Sequence, residues 1–257
     1  MILAIDIGNS NIVLGCIREG KILFEARMAT DRIKTADQYC AELKTMLGLF
    51  DVVPADIEGS IVASVVPLVQ QVIVRAVERL TGKPCLTVGP GLKTGLNIKI
   101  DNPAQAGSDL IVGAVAAIEA YGAPVCIIDL GTATTICVVD REGAFRGGAI
   151  APGVMLSLNA LSGGTAQLPG ISLEQPRRAI GTNTVDSMRS GLLLGSAAML
   201  DGMVERMEAE LGCALPVVAT GGLAKAIVPL CKRDMVIDEN LLLTGLYLLY
   251  KKNTQKS

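Results

Sequence analysis

IDIGNSNIVLGCIREGKI at residues 5–22 and IDLGTATTICVVDREGAF at residues 128–145 are two versions of one pattern, set 123 residues apart. Asp6 aligns with Asp129, Gly8 with Gly131, and Arg18-Glu19-Gly20 with Arg141-Glu142-Gly143. In each copy an apolar run ends in an aspartate and a glycine, and a second apolar run follows. That order reads as strand, tight turn, strand, with a carboxylate at the bend. Either copy alone fits a plain β-hairpin. The common spacing and the matched aspartates point instead to an internal duplication. The expectation is an α/β protein of two similar domains, 1–120 and 121–257, facing each other across a phosphate-binding cleft.

Composition narrows the chemistry. The chain has 257 residues, enough for one large or two medium domains. Half of them are hydrophobic while aromatics make up only 3 %, so Val, Ile, Leu, Ala and Met must fill the core, as in buried strands covered by helices. Net charge is −2 with the two signs interspersed, which lacks the basic stripe that nucleic-acid binding requires. Apolar stretches such as 192–200 and 241–250 are too short to span a bilayer, and no signal pattern precedes the first strand. A cytoplasmic protein that binds neither nucleic acid nor membrane is expected. The seven cysteines are scattered without a CxxC pair, which argues against a disulfide framework or a zinc site. The absence of histidine removes Ser-His-Asp and His-zinc chemistry together, leaving proton transfer to a carboxylate, lysine, tyrosine or water.

In the first half the pattern predicts strands at 2–6, 11–18 and 21–29 and a helix over 36–50 with Asp37 in its first turn. A strand at 60–66, a helix opened by Pro67 and running to 80, a strand at 85–89, a loop over 89–107 and a helix over 108–121 follow. The second half repeats the plan with strands at 125–129, 134–140 and 143–150, then helix and loop to 176. A long helix is expected over 184–211, with Gly191, Gly195, Ala197 and Ala198 permitting a close helix contact, either across a dimer or within one domain. A strand at 217–220, a Gly221-Gly222 turn, a helix from 223 and a helix over 239–251 complete the chain, with 251–257 as a disordered tail.

Four glycine-bearing turns are candidates for nucleotide contact: 6–11, 129–134, 147–153 and 220–224. Phosphates need backbone N–H donors at close range, which glycine permits, and Asn9, Ser10, Asn11, Thr132 and Thr134 add side-chain donors. An aspartate beside such a turn suits a hard cation. Neither a GxxxxGK[ST] loop nor a protein-kinase glycine loop is present. Two duplicated aspartate turns with a later Thr-Gly-Gly turn are the arrangement of the actin-like, Hsp70-like and sugar-kinase-like ATPases.

The chain resembles the type III pantothenate kinases of bacteria. The resemblance rests, in order, on IDIGNSN (5–11), SVVP (64–67), DNPAQAGSD (101–109), IIDLGTATT (127–135), GGAIAPG (147–153), TAQLP (165–169), IGTNTVDSMRSG (180–191) and ATGGLA (219–224). It implies two duplicated actin-like ATPase (ribonuclease H-like) domains with mixed sheets flanked by helices, a homodimer, and transfer of the ATP γ-phosphate to the hydroxyl of pantothenate, the first step of coenzyme A synthesis. By the same resemblance Asp6, Ile7, Gly8, Asn9, Ser10, Asn11, Ile12 and Val13 would form the first phosphate loop, with Asp6 nearest a Mg²⁺ carried by ATP. Thr132, Gly221 and Gly222 would also contact ATP, and Asp129 would ligate a monovalent cation, K⁺ or NH₄⁺. Asp109 would be the general base, with Ile100, Gly107, Ser108, Leu110 and Thr184 around the acceptor, Thr184 from the partner subunit. On spacing alone Asp109 and Thr184 also read as ordinary helix-start residues.

Two positions depart from the family pattern. Ile100 stands where a tyrosine is usual, and Leu110 where an arginine follows the catalytic aspartate. Pantothenate carries one carboxylate, so Leu110 removes its obvious cation, and Lys93, Lys99 and Arg189 are the candidates to replace it. Two other readings therefore stand beside pantothenate kinase: a kinase of another small hydroxyl compound, and a nucleotide-binding regulatory protein without turnover.

Overall fold

The computed structural model describes residues 1–254. It divides into two compact units: 1–96 with 101–116 and 240–254, and 97–100 with 117–239. The first contains β1 (Ile2–Ile7), β2 (Asn11–Arg18), β3 (Lys21–Ala29), α1 (Ala36–Leu49), β4 (Gly59–Ser64), α2 (Pro67–Thr81), β5 (Cys85–Thr87) and the start of α3 (Ser108–Tyr121). The second has β6 (Asn97–Ile98), β7 (Val125–Leu130), β8 (Ala133–Val139), β9 (Ala144–Pro152), α4 (Val154–Gly164), α5 (Thr184–Arg189), α6 (Gly195–Leu211), β10 (Val217–Thr220), α7 (Ala224–Ile227) and β11 (Val236–Ile237). The last helix, α8 (Leu241–Thr254), returns to the first unit.

The duplication is visible in the sheets. The first unit has the order β3-β2-β1-β4-β5 and the second β11-β10-β7-β8-β9-β6, so apart from β6 the strands correspond one to one. In both, the hairpin strands pair antiparallel and the later strands add in parallel on the other side of the first. The 123-residue spacing holds for β1 and β7 but not beyond the bend. Asp6 pairs with Val13 and Asp129 with Thr135, and Val13 and Thr135 are 122 residues apart. The second copy spans its bend with a different turn, and the burial patterns of β2 and β8 match at the shorter spacing.

Strand alternation builds the first unit in three layers. Leu3, Ile5 and Ile7 face α1 and α2, where Tyr39, Leu43, Leu47, Ile73 and Val77 are buried. Ala4, Ile61 and Ala63 face the other way, against Val112 of α3 and Leu243, Leu246 and Leu249 of α8. In the second unit Ile128, Leu130 and Ile136 pack on Val154, Leu193, Ala197, Leu200 and Ile227.

Several expectations need correction. A boundary at 120/121 would give α8 to the second unit. Its apolar face instead completes the first core, and Gly245 lets it approach α3 because a Cβ there would meet the Val112 carbonyl. Residues 251–254, expected in a disordered tail, continue α8, while 255–257 lie outside the described residues. Strand β9 runs on to Pro152, past the expected end at 150 and through most of the expected 147–153 turn, with Gly147 at φ of 88° within it and Gly148 packed on the Ile136 backbone. The 89–107 loop contains β6 and a 3-10 turn, Pro103–Gln105. The expected 184–211 helix is interrupted by one π turn at Ser190–Leu194, and the helix from 223 is a single turn. Thr35, not the Asp37 charge alone, starts α1. Its hydroxyl accepts the Gln38 N–H while Gln38 accepts the Thr35 N–H, a capping box.

Candidate active site

In the first unit, β1 delivers Asp6 to the carboxyl end of the sheet and the chain turns at once. The Gly8 N–H donates to the Asn11 carbonyl at 2.9 Å, closing a turn whose tip is Asn9 and Ser10. A Cβ on Gly8 would stand 3.1 Å from that carbonyl oxygen, so glycine keeps the turn tight. Asp6 and Val13 are half-buried and Asn9, Ser10 and Asn11 exposed, whereas Ile7 and Ile12 are buried in the core. The two isoleucines thus hold the turn from below rather than reach solvent. The segment after β3 braces it: Thr30 Oγ1 donates to the Gly8 carbonyl at 2.7 Å and the Thr30 N–H to the Ser10 carbonyl at 3.0 Å.

Asp109 comes to the same end of that sheet. β4 runs parallel to β1 with Ala63 opposite Asp6 and Ser64 opposite Ile7. The Ser108 hydroxyl accepts the Ser64 N–H at 2.9 Å and donates to the Ser64 carbonyl at 2.9 Å. This reciprocal pair fixes the first turn of α3, and with it Asp109, beside the end of β4. The Asp109 carboxylate folds back to accept the Leu110 N–H at 2.8 Å, over Gly107, where a Cβ would strike Oδ1. Burial pushes the Asp109 carboxyl above the usual carboxylate range, and the backbone N–H groups of Leu110 and Asp109 oppose that only in part. The carboxylate therefore serves the helix start and is also a stronger base than an exposed aspartate. Leu110 beside it is half-buried and carries no charge.

In the second unit three bends gather at the carboxyl end of β7. The β7–β8 turn is closed by the Gly131 N–H on the Ala133 carbonyl at 3.1 Å. β10 runs parallel to β7 with Thr220 opposite Asp129, then turns at Gly221 with φ of 93°. A Cβ on Gly221 would run into Asp129 Oδ1 and the Leu130 backbone, so this turn crosses directly over the aspartate. The Leu223 N–H ties it to the Leu130 carbonyl at 3.2 Å. Gly153, ahead of α4, donates its N–H to the Thr132 carbonyl at 3.1 Å. Thr132 and Gly222 are exposed. Oxygen ligands such as the Asp129 carboxylate suit a hard cation. Among the described residues no group of three or more His, Cys, Asp or Glu could hold a metal, so an ion here would need backbone or ligand oxygens as well.

The remaining expected residues lie elsewhere in the second unit. Ile100 is half-buried, with its Cγ2 3.3 Å from where a Cβ on Gly147 would be. Thr184 is exposed, first in α5 after the Asn183 cap, and lines an open cavity of about 800 Å³ with Leu161, Leu168, Ser187, Met188 and Gly191. Gly191, Gly195 and Ala198 are exposed, while Ala197 is buried in the core. Of the cations proposed to replace the arginine at 110, Lys99 Nζ is 2.7 Å from Glu142, and Arg189 bonds Ser172 and lies 3.1 Å from Glu174. Sequence reading passed over Thr30 altogether and gave Ser64 no role beyond its place in SVVP, whereas Gly153 stood in the 147–153 segment already singled out.

Two sheets of one topology, each with an aspartate at the end of its first strand beside a tight turn, make the duplicated actin-like fold. The fold of (R)-2-hydroxyglutaryl-CoA dehydratase component A from Acidaminococcus fermentans agrees, with a TM-score of 0.57 at 14 % identity over 99 % of each chain. The family model for type III pantothenate kinase matches residues 2–206. The chain is 44 % identical to a type III pantothenate kinase of Halalkalibacterium halodurans, covering 98 % of this chain and 100 % of that protein. It is 45 % identical to one of Bacillus cytotoxicus, covering 98 % and 97 %. The chain belongs to the type III pantothenate kinase family.

Proposed function

We infer that this enzyme transfers the γ-phosphoryl group of ATP to the hydroxyl of pantothenate, giving 4′-phosphopantothenate and ADP at the start of coenzyme A synthesis. The observation that carries the reading is the family match across residues 2–206. In this reading the turn from Asp6 to Asn11 and the bends at Thr132 and Gly221-Gly222 take the nucleotide, with Mg²⁺ held by phosphate oxygens near Asp6. Asp129 with nearby carbonyl oxygens would hold K⁺ or NH₄⁺, which neutralises phosphate charge. The acceptor oxygen bonds to the γ-phosphorus as the bond from that phosphorus to the β–γ bridging oxygen breaks. The hydroxyl proton passes to the Asp109 carboxylate and then to solvent. Phosphoryl transfer is loose, so positioning and charge neutralisation outweigh base strength.

The homodimer belongs to this proposal too. Exposed Gly191, Gly195 and Ala198 leave the 184–211 helix open to close approach, and Thr184 beside the cavity is where a partner would complete an acceptor site. ATP supply is consistent with a cytoplasmic enzyme, and no helix among the described residues is long and apolar enough to cross a membrane.

Leu110 favours one second reading, a less anionic acceptor. The test is ADP release with Mg-ATP and K⁺ across a panel of hydroxyl compounds including pantothenate. Turnover with pantothenate that falls by about 10²–10⁴ in Asp109→Asn supports the first reading. Turnover only with a neutral acceptor supports the second, and none with any acceptor leaves a nucleotide-binding protein without kinase activity.

A further inference from the structure

A phosphate loop must offset several negative charges, and protein kinases and P-loop enzymes do so with a lysine. The first turn here has no such residue: IDIGNSNIVL, residues 5–14, contains neither lysine nor arginine. The structure brings a cation from outside it. Thr30 is bound to the Gly8 and Ser10 carbonyls, which draws the segment after β3 against the turn. Next, Asp31 is pinned to α1, its N–H donating to Tyr39 Oη at 2.9 Å and its carbonyl accepting from the same hydroxyl at 2.7 Å. The Asp31 carboxylate accepts the Ile33 N–H at 3.0 Å. The backbone is thus fixed on both sides of Arg32, and the Arg32 guanidinium donates Nη2–H to Asn9 Oδ1, at the tip of the turn, at 3.1 Å.

Arg32 and Asn9 are both exposed, so their bond adds little to stability, and Thr30 and Tyr39 hold the segment without it. The neighbouring cations are engaged with carboxylates: Lys34 Nζ is 2.6 Å from Glu42, and Arg27 is 3.5 Å from Glu25. The contact to Asn9 uses one of the five guanidinium donors. A guanidinium is also the group best matched to two phosphate oxygens at once.

We propose that Arg32 is a phosphate-binding residue of the ATP site, held at the tip of the turn by Asn9 with its remaining donors able to meet polyphosphate oxygens. The proposal rests on the reading of residues 6–13 as the phosphate loop. Arg32 there supplies in trans to the turn the positive charge that the turn itself lacks.

The experiment compares Arg32→Ala, Arg32→Lys and Asp6→Asn with the parent enzyme. It measures the Mg-ATP and pantothenate KM values, ADP affinity by titration calorimetry, and Tm. Arg32→Ala is expected to raise the ATP KM and weaken ADP binding by about 10–100-fold, with pantothenate KM and Tm unchanged and Arg32→Lys intermediate. ATP KM and ADP affinity within about twofold of the parent, while Asp6→Asn weakens nucleotide binding, overturn the role of Arg32 and leave the loop standing. If neither variant changes nucleotide binding, the loop reading falls and the proposal with it. A rise in pantothenate KM alone assigns the arginine to the acceptor and also overturns the proposal.

Discussion

Ser108→Ala tests how Asp109, the proposed general base, is held. β5 accompanies β4 only from Ser60 to Val62, so Ser64 continues past the end of its neighbour on that side. The Ser108 hydroxyl takes the place of the missing strand, accepting the Ser64 N–H and donating to the Ser64 carbonyl, each at 2.9 Å. Alanine leaves both backbone groups without that partner. At about 1–3 kcal/mol for each unsatisfied buried group, lowered because the site is half-buried and water can return, the loss is about 2 kcal/mol. For a chain of this size that corresponds to a fall of about 4–8 °C in Tm. The functional effect should exceed the thermal one at assay temperature, because Asp109 follows directly and a displacement of about 1 Å can cost about 100-fold in rate. Steady-state kinetics should show kcat down by about 10–100-fold with the ATP KM unchanged, and Ser108→Thr, which keeps the hydroxyl, should recover most of it. A Ser108→Ala enzyme with parental kcat and a Tm within about 1 °C would show that α3 is positioned by its apolar face alone, refuting this argument.

Four further outcomes are expected. Burial raises the folded-state pKa of Asp109, so kcat should decline as pH falls through a value above the ordinary carboxylate pKa of about 4, and Asp109→Asn should abolish that limb. The same shift gives a stability contribution that is full below the unfolded-state pKa and lost as pH rises through the folded one. Denaturant titrations of Asp109→Asn should therefore be flatter across that window. Gly221→Ala places a side chain at φ of 93° against the Leu130 backbone, and should cost about 2–4 kcal/mol in urea unfolding while raising the K⁺ concentration needed for half-maximal rate. Unchanged stability would mean the turn over Asp129 relaxes freely. Leu110→Arg should lower the pantothenate KM by about tenfold, the strength of one charge-assisted contact, and an unchanged or higher KM would count against an arginine role at this position.

How far the sequence could be read depended on the range of each determinant. The strands of both hairpins were legible because burial imposes an apolar pattern that ends at Asp6 and Asp129. The glycines were legible because turns at strand ends require them. The Thr35–Gln38 capping box was within reach too, since its T-x-x-Q spacing is local. By contrast, β6 and β11 have two residues each, below what any periodicity resolves. The π turn at Ser190–Leu194 disturbs helical spacing too little to register. The apolar face of α8 announced a buried helix without saying which sheet it covers. At the site, Asp109 was legible as a helix-start carboxylate, but its tether to Ser64 spans 44 residues and Arg32 reaches Asn9 across 23. Such pairings follow from topology, which the duplicated motif implied only in outline.

The two copies of the aspartate turn have diverged in what surrounds them, and that divergence fits the unequal roles proposed for them. Asp6 and Asp129 occupy the same station, each between an antiparallel hairpin partner and a parallel strand. Around Asp6 the support comes from side chains: the Thr30 hydroxyl beneath the turn and the Arg32 guanidinium at its tip. Those groups add positive charge and adjustable donors, as a mobile polyphosphate tail requires. Around Asp129 the bends that close in are backbone at Gly131, Gly153 and Gly221, and a Cβ at either of the last two would meet turn atoms. Backbone turns offer carbonyl oxygens in fixed positions, the kind of ligand that suits the monovalent ion proposed at Asp129. Perturbing each support should therefore give its own phenotype. Crowding at Gly221 should be felt through K⁺ before nucleotide affinity, and loss of Arg32 through nucleotide affinity with the K⁺ requirement unaltered.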